Sequence, residues 1–177
     1  MRFEGRFNAQ PVRDALSGSV NPYLVHVTAT HVAEVDVDTV TGDVRVLRVV
    51  AAHDVGRVVY PLGLKGQIEG AVSMGLGFAL KEEFVPGETE SFQQYRIPNA
   101  REAPEVVSLM IEMGDPSASL GAKGAAECAT VAVAPAITNA IADAVGVRVR
   151  RLPATPQRLL AMLAREEVDT TAGKPRT

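Results

Sequence analysis

The sequence predicts an α+β fold, mixed sheet segments with packed helices, on three observations. Residues 31–38 alternate, with Ala33, Val35 and Val37 on one side and Glu34, Asp36 and Asp38 on the other, which is the period of a half-buried strand. A second, mostly apolar strand follows over 44–52, after a turn that contains Gly42, so the two make an antiparallel hairpin. Helix signals then alternate with shorter strand signals: Pro61, Pro135 and the pair Thr155-Pro156 each stand at a helix start, where proline's missing N–H costs nothing.

Taken in order, residues 1–30 carry Pro11, Gly18 and Pro22 without periodicity and are expected as an irregular N-terminal arm. After the hairpin, His53-Asp54-Val55-Gly56 ends the second strand. A helix is then expected from Pro61 to Glu83, although Gly63, Gly66, Gly70, Gly75 and Gly77 all fall inside it. A glycine in a helix interior costs roughly 0.5–1 kcal/mol relative to alanine. So many imply either a break near Gly75 and Gly77 or close approach by other backbone, and close approach is the favoured reading. Residues 84–100 read as turn and short strand, 106–112 as strand, and 114–127 as a loop of small residues. A helix over 135–145 ends with Gly146 at the usual position, a short strand is expected over 147–151, and a last helix over 157–164. The domain therefore runs over 31–166, and the polar residues 167–177 are expected as a disordered tail.

Composition narrows the function. The chain has 177 residues, 46% of them hydrophobic, enough for one domain with its own core. A net charge of −3 leaves no basic face to neutralise phosphates, which argues against nucleic-acid binding. The single cysteine, Cys128, excludes an intrachain disulfide and any multi-cysteine metal site on this chain. Residues 1–8 hold no apolar run of the signal-peptide kind, and the apolar stretches read as too interrupted for a membrane span. The expectation is a cytoplasmic protein without a membrane partner.

The candidate chemistry lies in two glycine-rich segments. Gly121-Ala122-Lys123-Gly124-Ala125-Ala126-Glu127 sets a carboxylate among small neighbours, where desolvation could raise its pKa toward general-base range. The alternative is a carboxylate that favours the dipole of the helix after it, and these residues alone leave both open. Gly66-Gln67-Ile68-Glu69-Gly70 offers an amide, donor and acceptor at once, between positions that let a ligand approach; a simply solvated glutamine fits the same residues. Gly75-Leu76-Gly77 lacks the third glycine and the strand-turn context of a dinucleotide site. His26, His31 and His53 do not fall at metal-ligand spacing, and His53-Asp54 reads better as a structural pair than a catalytic one. Cys128, beside Glu127, fits a reactive thiol or a small buried residue, and free cysteine is more often the latter.

In sequence order these segments resemble one family. Val-Val-Ala-Ala-His-Asp-Val-Gly-Arg (49–57), Gly-Gln-Ile-Glu-Gly-Ala-Val-Ser-Met-Gly-Leu-Gly (66–77), Tyr-Arg-Ile-Pro (95–98), the loop 121–127 and Val-Arg-Val-Arg-Arg-Leu-Pro-Ala-Thr-Pro (147–156) follow the C-terminal part of the molybdenum-binding large subunit of the xanthine dehydrogenase, aldehyde oxidase and carbon monoxide dehydrogenase family. The resemblance covers roughly 21–165. It implies that 31–166 is a partial C-terminal molybdenum-cofactor-binding domain, one part of a larger molybdopterin-binding domain. It implies Glu127 as the base that deprotonates an attacking hydroxyl, and Gln67, Gly66, Lys123, Gly124 and Ala126 as the cofactor-binding set. The implied cofactor is molybdenum-molybdopterin, in the cytosine dinucleotide form, with 2Fe-2S and FAD on partner subunits.

The implied partners are the remainder of the large subunit, an iron-sulfur subunit and an FAD subunit. The implied substrate is a small molecule, an aldehyde, purine or N-heterocycle, or carbon monoxide. Two departures stand out. The family carries glycine before the glutamate where this chain has Ala126, which would strain a positive φ by roughly 1–2 kcal/mol. Family subunits are also several times longer, so a split subunit, a truncation or an excised domain is expected, inactive alone. The competing expectation is a non-catalytic remnant that serves as an assembly module; an unrelated α+β ligand-binding domain would need the ordered match to be chance.

Overall fold

The computed structural model describes residues 25–171, together with Glu4, 12–13 and 20–21, with side chains described for Glu4 and 25–165. Of the expected arm, two short strands are described, β1 (Val12–Arg13) and β2 (Val20–Asn21), paired antiparallel; much of the rest lies outside the described residues. The hairpin forms as expected from β3 (Ala29–Val37) and β4 (Val44–Asp54), which reach two residues beyond the expected start of the first strand and the expected end of the second. Half-buried and exposed residues alternate strictly along β3. The turn is held by the Asp38 carboxylate, which accepts the Val40 and Thr41 N–H groups at 2.8 and 3.1 Å. Gly42 adopts φ +78° there, and a Cβ on it would stand 2.4 Å from the Pro156 carbonyl, so glycine is required for two reasons.

Helix α1 (Pro61–Leu80) is continuous, so the break near Gly75 and Gly77 does not occur. Four of its glycines divide into two kinds. A Cβ on Gly75 would lie 2.4 Å from the Val133 Cβ, and one on Gly77 would meet the Glu82 carboxylate and Pro98. At Gly66 and Gly70 a Cβ would meet nothing within 4 Å. The tight packing is internal at the first pair; none of the described residues crowds the second.

The strand expected around Tyr95-Arg96-Ile97-Pro98 is instead a single helical turn, α2 (Phe92–Tyr95). A capping box explains it: Ser91 and Gln94 satisfy each other's backbone N–H groups, and Arg96 stops the turn with φ 68°. Strand β5 (Glu105–Ile111) then joins β4 in parallel, Ala51 opposite Ser108, which gives a sheet of order β3-β4-β5. The apolar run after Glu127 folds as α3 (Cys128–Val131) and α4 (Val133–Val145), capped by Gly146 at φ 76°. By length and composition 128–145 is apolar enough to cross a membrane. The fold divides it at Ala132 and buries Ala129, Val133, Ala134, Ile137 and Ile141, with α4 packed on β3 and α1.

Residues 147–151 form no strand; Val147 is buried and Val149 half-buried, but the segment finds no ladder partner among the described residues. Thr155 caps the last helix, α5 (Pro156–Thr171), through its hydroxyl, which accepts the Arg158 N–H at 3.4 Å. This helix runs seven residues past its expected end, and 172–177 lie outside the described residues. One core joins sheet and helices through Val49, Ala51, Ile68, Val72, Leu76, Ile137 and Leu159.

Candidate functional site

The glycine-rich loop is fastened to the end of β4. The Arg57 N–H donates to the Gly121 carbonyl and the Lys123 N–H to that of Val55, both at 2.9 Å, and Gly56 bridges to Ala122. Gly56 must be glycine: φ is +61° and a Cβ would fall 2.3 Å from the Gly121 carbonyl oxygen. Lys123 Nζ reaches Asp54 Oδ2 at 2.6 Å, and both side chains are only 10% exposed. The Lys123 ammonium, with the Gly56 and Met113 N–H groups, holds the Asp54 carboxyl below the usual carboxylate range. Lys123 therefore spends its side chain and its N–H on the scaffold. Thr28, Thr30, Ile111, Met113 and Asp115 line a cleft of about 490 Å³ beside the pair.

Glu127 stands at the N-cap of α3 without a capping hydrogen bond. It is exposed, so the desolvation expected from its small neighbours is not supplied by the described residues: alanines and glycines are too small to cover a carboxylate at the mouth of a one-turn helix. No hydrogen-bond or ion-pair partner for its side chain is found among the described residues. Positive φ in this stretch occurs at Leu120 (56°) and Gly121 (73°) and not at Ala126, so the alanine is accommodated without the strain that a left-handed position would bring. Gly124 is exposed, and a Cβ on it would meet nothing within 4 Å.

Gln67 sits on the exposed face of α1 beside Gly66, likewise without a side-chain partner among the described residues. Helix α1 packs directly on α3, so the elements that carry Gln67 and Glu127 are neighbours. Along α1, Leu62, Met74 and Phe78 are 70%, 63% and 57% exposed. With Gly66 and Gly70 they fall on one i, i+4 line, an apolar and glycine ridge beside Gln67. Cys128 is half-buried, its thiol pushed up by burial and directed to the Gly124 carbonyl at 3.4 Å.

Sequence spacing missed one arrangement. His31 and His53 lie on neighbouring strands, on one face, with Nε2 to Nε2 at 2.7 Å and rings crossed at 75°. The signal was available: on an antiparallel pair, two histidines 22 apart come nearly level once the turn at 38–43 fixes the register. A larger cleft of about 710 Å³, lined by Asp36, Arg45, Lys81, Arg96 and Glu102, gathers none of the expected residues.

A family model for the molybdopterin cofactor-binding domain matches residues 1–104. The chain belongs to that family. It is 40% identical over 136 residues to the 6-hydroxypseudooxynicotine dehydrogenase complex subunit gamma of Paenarthrobacter nicotinovorans, covering 72% of this chain and 17% of that one. It is 33% identical over 132 residues to the xanthine dehydrogenase molybdenum-binding subunit of Escherichia coli, covering 71% and 18%. The solved aldehyde oxidoreductase of Desulfovibrio gigas superposes with a TM-score of 0.80 at 32% identity, covering 86% of this chain and 17% of that one. The domain thus matches part of molybdenum-binding subunits of the xanthine dehydrogenase and aldehyde oxidoreductase type, and spans less than a fifth of the length of these relatives.

Proposed function

We propose that this molybdopterin cofactor-binding domain forms one wall of the active site of a molybdenum hydroxylase, with Glu127 as general base. The observation that carries this is the pairing of unsatisfied polar groups with unfilled backbone positions. Gln67 and Glu127 have no partner among the described residues, and Gly66, Gly70 and Gly124 would each admit a Cβ without contact. Such positions give a flat, polar, accessible backbone surface, which fits a large cofactor laid against it.

The Gln67 amide would donate to and accept from the polar edge of the pterin, and Gly66, Gly124 and Ala126 would let the backbone close on it. Among the described residues no cluster of three or more His, Cys, Asp or Glu could hold a metal ion, so the metal would be held through the pterin. When bound, the molybdenum-pterin group supplies two-electron oxidation of a substrate carbon. Glu127 would accept the proton from the attacking oxygen. Lys123 enters through the geometry of the loop.

The reading extends to the cytosine dinucleotide form of the pterin, to 2Fe-2S and FAD on partner subunits, to the remainder of the large subunit as the covering partner, and to a cytoplasmic assembly. The substrate class is an aldehyde, purine, N-heterocycle or carbon monoxide. One observation favours the second reading, an assembly module without catalysis: the described residues leave Glu127 exposed.

The test is molybdenum content by elemental analysis, for the chain purified alone and co-expressed with its neighbouring subunit genes. Metal is expected only in the co-expressed complex, where Glu127→Gln should abolish turnover and keep the metal. A folded complex without molybdenum would sink the catalytic reading and leave the assembly module.

A further inference from the structure

Asp54 closes β4, and Lys123 lies in the loop four residues before Glu127. The two are 69 residues apart in the chain, 2.6 Å apart in space, and nine-tenths buried. A buried ion pair is a poor way to gain stability, since desolvation offsets much of the attraction and an apolar pair of similar volume often does as well. This pair has instead a directional role. Asp54 Oδ1 accepts the Gly56 and Met113 N–H groups at 3.1 and 3.3 Å while Oδ2 takes Lys123. One carboxylate thereby ties together the exit of β4, the exit of β5 and the loop.

The other ties, Arg57 to Gly121 and Lys123 to Val55, lie in the same three-residue stretch of the loop. Beyond Lys123, the remaining hydrogen bonds of Gly124 to Glu127 run forward into α3: Cys128 to Gly124, Ala129 to Ala126 and Thr130 to Glu127. The place at which Glu127 is presented is therefore fixed from Lys123 on one side and α3 on the other. We propose that Asp54 and Lys123 are positioning residues that set the register of the loop and so the location of the Glu127 carboxylate. The proposal rests on Glu127 being the base, but its central test does not.

Amide hydrogen exchange on the 177-residue chain reads the register directly. Lys123→Met keeps an unbranched stem and removes the ammonium, and Asp54→Asn keeps the shape and weakens the tie. Either is expected to speed exchange of the hydrogen-bonded amides of Arg57 and of 121–123 by about tenfold or more, with those of β4 and α1 changed by less than about threefold. Lys123→Arg should hold the loop within about threefold of the parent. In the co-expressed enzyme, Lys123→Met should lower kcat by about tenfold to a hundredfold at unchanged KM and molybdenum content, and Lys123→Arg should recover most of it.

Loop exchange unchanged in both folded variants would overturn the proposal, and so would loosening of β4 and α1 in step with the loop. Should Lys123→Met fail to fold, Asp54→Asn decides alone by the same criteria. A complex without molybdenum would end the catalytic reading and leave the exchange result standing, so the two failures are separable.

Discussion

Glu127 shows what one residue type and its neighbours disclose. Its small neighbours and permissive backbone marked it in the sequence. Its exposure could not be read there, because covering depends on groups distant in the chain or on another chain. Lys123 shows the converse: resemblance placed it in the cofactor set, and its partner, 69 residues upstream, sat in a motif read separately. The His31–His53 pair makes a prediction at this scale. A 2.7 Å contact between two Nε2 atoms needs one N–H and one lone pair, and the Nδ1 atom of each ring is buried without a partner among the described residues. Burial lowers both pKa values, that of His31 to about 4, helped by the neighbouring His53. The folded state thus binds fewer protons than the unfolded state below the ordinary imidazole value. This contribution to stability is fully present above about pH 6.5 and is lost as pH falls toward about 4. Urea midpoints measured across that range should decline in the parent and decline less in His53→Phe; parallel curves would refute it.

Among the elements, those with local signals were legible and those set by long-range pairing were not. The hairpin carried its own alternation and turn, and Thr155-Pro156 carried its own cap. The parallel placement of β5 on β4 had no local signature, and residues 147–151 looked like a strand but find no ladder partner among the described residues. Helix α1 gives the prediction here, since its glycines answer to different neighbours. Gly75→Ala would drive a Cβ to within 2.4 Å of Val133 and should destabilise the chain by about 1–3 kcal/mol, more than the roughly 0.5–1 kcal/mol returned by helix propensity. Gly66→Ala meets nothing and should stabilise the isolated chain by roughly 0.5–1 kcal/mol while lowering molybdenum in the co-expressed complex. Thermal melts paired with metal analysis separate the two; a Gly66→Ala complex with full metal would count against a cofactor-facing role.

For the whole molecule, the sheet and ridge point the same way. Parallel strands are ordinarily covered on both faces, yet Val32, Leu109, Ile111 and Met113 on or beside the sheet, and Leu62, Met74 and Phe78 on α1, are exposed. A surface of this kind belongs against something, in keeping with relatives of which this chain spans 17%. The double substitution Met74→Gln, Phe78→Gln should reduce self-association of the chain in sedimentation experiments and weaken its co-purification with the remaining subunits. Undiminished co-purification would exclude the ridge as that contact.

The parallel β4–β5 ladder also fixes an order of events at the ribosome. Residues 55–104 intervene between its strands, whereas the hairpin needs only the turn at 38–43. Loop closure disfavours the longer connection, by about 0.6 kcal/mol for each doubling of length, and β5 is in any case synthesised later. The hairpin is therefore complete in sequence before its third strand, and Asp54 is synthesised long before Lys123. A chain stalled between residues 54 and 123 carries a carboxylate built for a partner not yet made.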